Sequence, residues 1–180
     1  MKKLLFFIII AYLILLQPKY VQAVAPVSEP SAQIHMELAS ERKTDHRANI
    51  LKGYLTIYHS PLVNYCEKIV TEADKYRIPW TWIVAISGVE STFGQAIPPS
   101  SYNGWGWANG TFAFKNWDDG IETVSKSLRE EYLDKGADTV DKIAPIYAPP
   151  STTWAGKVAY FIGKIESFSD QNIHELPISL

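Results

Sequence analysis

The stretch WTWIVAISGVESTFG, residues 80–94, decides how the chain is read. Trp82 to Ile86 are apolar on nearly every side, the pattern of a helix enclosed by others. The run ends in an acid, Glu90, and a glycine, Gly94, follows four residues later. Glu90 lies four residues after Ile86 and seven after Ile83, so a helix puts all three on one face. It also falls in the last turn, where the negative end of the macrodipole disfavours a carboxylate. Burial and dipole both favour the protonated form. A general acid needs a carboxyl that still holds its proton near neutral pH. Holding a glutamate proton up to about pH 6 costs about 2 kcal/mol at neutral pH. The alternative is an ordinary helix-end glutamate facing water. The residues around it tip the balance: the hydroxyl of Ser91, the stop at Gly94 and an aromatic segment directly downstream.

Working outward, Ser60 is a good N-cap and Pro61 suits the first helical position. Leu62, Tyr65, Ile69, Ala73 and Tyr76 then recur every three or four residues, which predicts a helix over 61–76. Pro79 restarts the chain for the buried helix, 79–91. An earlier helix is expected within HRANILKGYLTIYHS, residues 46–60. WGWANGTFAF, residues 105–114, reads as a small hairpin with Asn109-Gly110 at a type I′ turn. Asn116 or Asp118 caps a helix carrying Ile121, Val124, Leu128 and Tyr132. A short helix near 139–144 ends at Pro145, and Thr152 or Thr153 opens a last helix with Trp154, Val158, Phe161, Ile162 and Ile165. Trp154 lies on its apolar stripe and reads as core. The expected fold class is mainly α (α+β), a helical domain with one small β-hairpin after the buried helix.

The 180 residues suit one domain, with 47% hydrophobic and 13% aromatic residues. Lys2 and Lys3 precede the apolar run LLFFIIIAYLILL, and small residues follow at VQA. This is a secretory signal pattern over 1–23, with cleavage expected after Ala23. An uncleaved anchor is the alternative, because Tyr20 to Val24 extend the run. Residues 24–45, with Pro26 and Pro30 among serines and mixed charges, read as a linker. The domain proper is 46–168, and 169–180 reads as a frayed tail. Without residues 1–23, which carry Lys2, Lys3 and Lys19 and no acids, 14 basic and 19 acidic side chains remain, a net charge of −5. That argues against nucleic acid and against attraction to an anionic surface. The lone cysteine, Cys66, excludes an internal disulfide and reads as buried filler. His35, His46, His59 and His174 lack metal-ligand spacing. No metal and no cofactor are expected, and the chain is expected to be a monomer.

VESTFG at 89–94 resembles the glutamate-serine motif that closes the catalytic helix in the lysozyme-like superfamily, particularly lytic transglycosylases and bacterial N-acetylglucosaminidases. SYNGWGW at 101–107 is similar to the asparagine motif that follows it. FAFKNWDDGIETVSKSL and YAPPSTTWAGKV are similar to the later strand-then-helix and Tyr-Ala segments. Together these cover residues 60–165. The resemblance implies a lysozyme-like fold and cleavage of β-1,4 bonds in peptidoglycan, with Glu90 in the catalytic acid's place and Tyr147 at the family tyrosine. It puts Ser91, Tyr102, Asn103, Trp105 and Trp107 on the substrate side. Trp105, Trp107 and the YAPPS continuation depart from many relatives, which bears on substrate preference.

Each of these residues has a plainer reading. Tyr147 either orients the sugar and stabilises developing positive charge or packs on the last helix. Asn103 either holds an N-acetyl group or caps the hairpin. Trp105 and Trp107 alternate on one strand face, for sugar stacking or for packing. No second acid is convincing. Asp118, Asp119 and Glu122 suit a helix start, and Glu130 and Glu131 a solvated face. Single-acid chemistry needs no partner, because the substrate's N-acetyl group or 6-hydroxyl can act as nucleophile. Three functions follow as expectations: an exported glycan-cleaving enzyme of the cell envelope, a glycan-binding module that does not cut, or a membrane-anchored wall-remodelling factor.

Overall fold

The computed structural model describes residues 45–149 and 151–168. The expected signal segment, nearly all of the linker and the tail lie outside the described residues. Asp45, assigned above to the linker, is instead the N-cap of the first helix: its carboxylate accepts the Arg47 N–H at 2.8 Å. That helix, α1, spans His46–Ile57 and buries Ala48, Ile50, Leu51, Tyr54 and Leu55.

The segment expected as one helix over 61–76 is two pieces. A 3-10 turn covers Pro61–Tyr65 and α2 covers Cys66–Tyr76. Ser60 Oγ caps the turn, accepting Leu62 N–H at 3.0 Å, and donates to the carbonyl of Phe93 at 2.7 Å. The start of this segment is thereby tied to the end of the buried helix. Cys66 is buried, as expected of filler, and burial raises its thiol pKa to about 12.

The buried helix, α3, spans Trp82–Ser91, starting three residues later than expected. Trp82 through Ser87 are all buried. It ends on Thr92, Phe93 and Gly94 in succession, all with left-handed φ. Gly94 is required there: a Cβ would lie 2.8 Å from the Trp117 ring.

The β-hairpin is not present. No strand occurs among the described residues, so the fold there is mainly α with turns. Gly106, Ala108, Asn109 and Gly110 all have positive φ, which curls residues 106–112 into a knot of turns. The turn centres on Ala108-Asn109, one residue before the Asn-Gly pair, with Gly110 N–H bonded to Trp107 O at 3.1 Å. Two flat strands would bond their backbones across a ladder. Here the Asn103 amide takes the backbone groups of Trp107 and the carbonyl of Phe112 instead.

After the loop, α4 spans Trp117–Ser127 with Asn116 as N-cap. It passes into a π turn at Leu128–Tyr132 and a 3-10 turn at Leu133–Lys135. Helix α5, Val140–Tyr147, runs through Pro145 rather than stopping at it. Proline removes only the bond to the Asp141 carbonyl, and both residues are exposed, so water can serve that group. Helix α6 spans Trp154–Phe168 and buries Trp154, Val158 and Ile165. The most extensive interhelical packing joins α3 to α6, then α2 to α4. Among the described residues, no helix is long and apolar enough to cross a membrane.

Candidate active site

Three bonds latch the loop after α3 onto that helix. Ser91 Oγ donates to the carbonyl of Gly104 at 2.7 Å and accepts Gly94 N–H at 2.9 Å. The Trp105 indole donates to the carbonyl of Ile83 at 3.0 Å. With Trp105 anchored, the next residue, Gly106, lies against the carboxyl of Glu90. A Cβ at Gly106 would sit 2.5 Å from Glu90 Oε2, and φ is +66°, so the position needs glycine on both counts.

The other carboxyl oxygen has a defined partner. Trp154 Nε1 donates to Glu90 Oε1 at 2.7 Å. Glu90 is partly buried, and its pKa is raised above the usual glutamate value by that burial, against the smaller opposing pull of the Trp154 N–H. An indole N–H can only donate. It therefore fixes Oε1 as the carbonyl-like oxygen and leaves the acid proton to Oε2, beside Gly106.

Tyr147 completes the wall. Its ring stacks on Trp154 at 5.0 Å between centroids, and its hydroxyl donates to the Trp105 carbonyl at 2.5 Å. The phenol is held neutral: burial first, then the Glu90 carboxylate and Tyr132, raise its pKa well above the ordinary value. The Trp107 ring, partly exposed, meets Tyr147 edge-on at 6.3 Å. The Tyr132 ring, at the end of the π turn, lies 5.9 Å from that of Tyr147.

Glu90, Tyr147 and Trp107 thus come together. Ser91, Asn103 and Trp105 do not offer themselves to a ligand. All three are buried, and each spends its polar groups inside the protein. Ser91 and Trp105 latch the loop to α3, and both amide hydrogens of Asn103 go to backbone carbonyls, so none remains for an N-acetyl group. Trp105 and Trp107 do not share a strand face. The positive φ at Gly106 turns one into the core and leaves the other at the surface. Tyr102 is partly exposed, its ring packed edge-on against Trp117 at 5.7 Å.

Sequence reading missed Trp154, Gly106 and Tyr132 as site residues. Trp154 carried a usable signal: a buried indole N–H requires an acceptor, and a core position names none. Gly106 and Tyr132 carried no such sign, because each depends on a contact across the fold. No protein-family model matches the sequence, and no curated protein matches it either.

Proposed function

We propose that the chain is a lysozyme-like enzyme of the cell envelope that cuts β-1,4 glycosidic bonds in peptidoglycan, with Glu90 as general acid. The observation that carries this reading is the state of one carboxyl group. It stands at the end of a buried helix, desolvated enough to keep its proton to higher pH, with one oxygen pinned by Trp154 and aromatic rings beside it. The motif order noted above supports the same family.

Glu90 would protonate the glycosidic oxygen from Oε2 as the bond breaks. The positive charge that develops on the sugar would meet the Tyr147 oxygen, whose proton is already committed to Trp105. Of the other acids weighed as partners, Asp118 is exposed on the first turn of α4 and the rest are engaged elsewhere. Glu122 pairs with Lys75, Glu130 with Lys126 and Glu131 with Lys135, while Asp119 closes the start of α4 by accepting Lys115 N–H. This supports a single-acid mechanism in which the substrate's N-acetyl group or 6-hydroxyl supplies the nucleophile. In the second case the Glu90 carboxylate returns as base, and an anhydro sugar leaves without net water.

The test is incubation of the exported protein with purified peptidoglycan, comparing wild type with Glu90→Gln by fragment mass. Wild type releases fragments and Glu90→Gln releases none while keeping its circular dichroism spectrum. An anhydro end is lighter than a hydrolysed end by one water. A wild-type protein that binds strands without releasing fragments would be a binding module, and the proposal would fail. An N-terminus near Val24 by mass spectrometry separates the secreted form from a membrane-anchored one.

A further inference from the structure

A groove of about 520 Å³ runs between the second half of α3 and the first half of α6. Its lining includes Gly88, Val89, Thr153, Gly156, Lys157 and Tyr160. Val89 precedes Glu90 and Thr153 precedes Trp154, the two residues joined by the carboxyl–indole bond. Two groove residues are thus chain neighbours of the site pair, yet protonating a glycosidic bond makes no use of the groove. Gly156 lines it, and a Cβ there would meet no protein atom within 4 Å, so the position has room for a side chain.

Its α6 side is chemically distinctive. Lys157, Tyr160 and Lys164 are spaced i, i+3, i+7 and so share one face of the helix. All three are exposed, and Tyr160 retains 58% of its surface. Lys164 Nζ lies 5.4 Å from the centroid of the Tyr160 ring. Among the described residues Lys157 and Lys164, like Lys52 and Lys115, enter no ion pair, whereas Lys68, Lys75, Lys126, Lys135 and Lys142 do. Lys157 lines this apolar groove and Lys164 follows two turns along α6, in a chain whose net charge is −2.

We propose that this groove receives the carboxylate-bearing peptide that peptidoglycan carries on alternate sugars, an inference that rests on the cleavage reading above. The volume suits a ligand of a few residues. Val89 and Phe161 offer surface for aliphatic side chains, and Lys157 offers charge for a free carboxylate, with Lys164 two turns further along α6. A bare polysaccharide has less to gain from a lysine at the groove. The groove would then select strands still bearing peptides and set their register against Glu90.

The experiment uses the full chain carrying Glu90→Gln, so that nothing is cut during titration. Calorimetry compares a soluble disaccharide fragment with its peptide and the same fragment without it. The peptide-bearing fragment binds more tightly. Adding Lys157→Gln or Gly156→Leu lowers the ratio of the two affinities roughly fivefold, the scale of one partly exposed ion pair. Gly156→Leu fills the groove from a position with room for a side chain, so its effect does not depend on loss of a contact. An equal affinity for both fragments, or a ratio unmoved in both variants, overturns the proposal. Because this is a binding measurement, its failure is distinct from a failure of wild type to release fragments.

Discussion

Glu90 is balanced between two opposing influences, and Trp154→Phe separates them. Burial raises the carboxyl pKa, and the Trp154 N–H lowers it by stabilising the charged form. Phenylalanine keeps much of the ring stacked on Tyr147 but removes the donor. The Glu90 proton is then held to a higher pH, so the alkaline limb of the kcat/KM profile moves upward while the maximum rate falls through lost positioning. A limb that stays in place or moves down would show that the indole bond does not tune the acid. Stability carries the same sign. A carboxyl whose folded pKa is raised contributes fully below the unfolded value near 4.5 and loses that contribution as pH rises through the folded value. Glu90→Gln therefore melts higher relative to wild type at pH 7 than at pH 4.

At the scale of an element, the loop of residues 101–112 is shaped by one amide. Asn103 binds Trp107 through both its backbone groups and Phe112 through its carbonyl, all at 2.9 Å. Removing the amide leaves partly buried backbone groups unpartnered, at about 1–3 kcal/mol for a fully buried group left unsatisfied and less where water can reach it. Asn103→Ala is expected to lower urea stability by about 2–3 kcal/mol and to free Trp107 from its place beside Tyr147. A loss under about 0.5 kcal/mol, the range of ordinary surface changes, would mean that the turns hold themselves. Helices needed no such support to be legible. Ser60-Pro61 placed the 3-10 turn that leads into α2, and Asn116 with the apolar spacing of Ile121, Val124 and Leu128 placed α4, because caps and periodicity act within a few residues. The hairpin was misread because Asn109-Gly110 signals a turn without naming its context. What replaced the strands was an amide six residues earlier.

The whole molecule turns on the contact between α3 and α6, which brings Trp154 to Glu90 across 64 residues of sequence. Gly88 sets how closely they approach. A Cβ there would lie 2.6 Å from the Phe93 ring and 3.1 Å from Phe161. Gly88→Ala has a better helix former to offer, by about 1 kcal/mol. Overpacking of about 1–3 kcal/mol works against it. The expected result is a net loss in urea unfolding with the m-value unchanged, together with reduced cleavage as the carboxyl–indole bond lengthens. A stabilised and fully active variant would show that the two helices are not in tight register.

Local chemistry along the chain determined which segments are helical, which one lies innermost and that an acid stands at its end. Those features depend on neighbours three or four residues away, and a reader of the sequence has those neighbours in view. Only the tertiary structure decided what that acid touches. Trp154, Gly106 and Tyr147 reach Glu90 from separate segments, and Ser91, Asn103 and Trp105 are turned inward by bonds to distant backbone. A side chain's partner across the fold depends on the packing of whole helices, and no spacing within one segment encodes it.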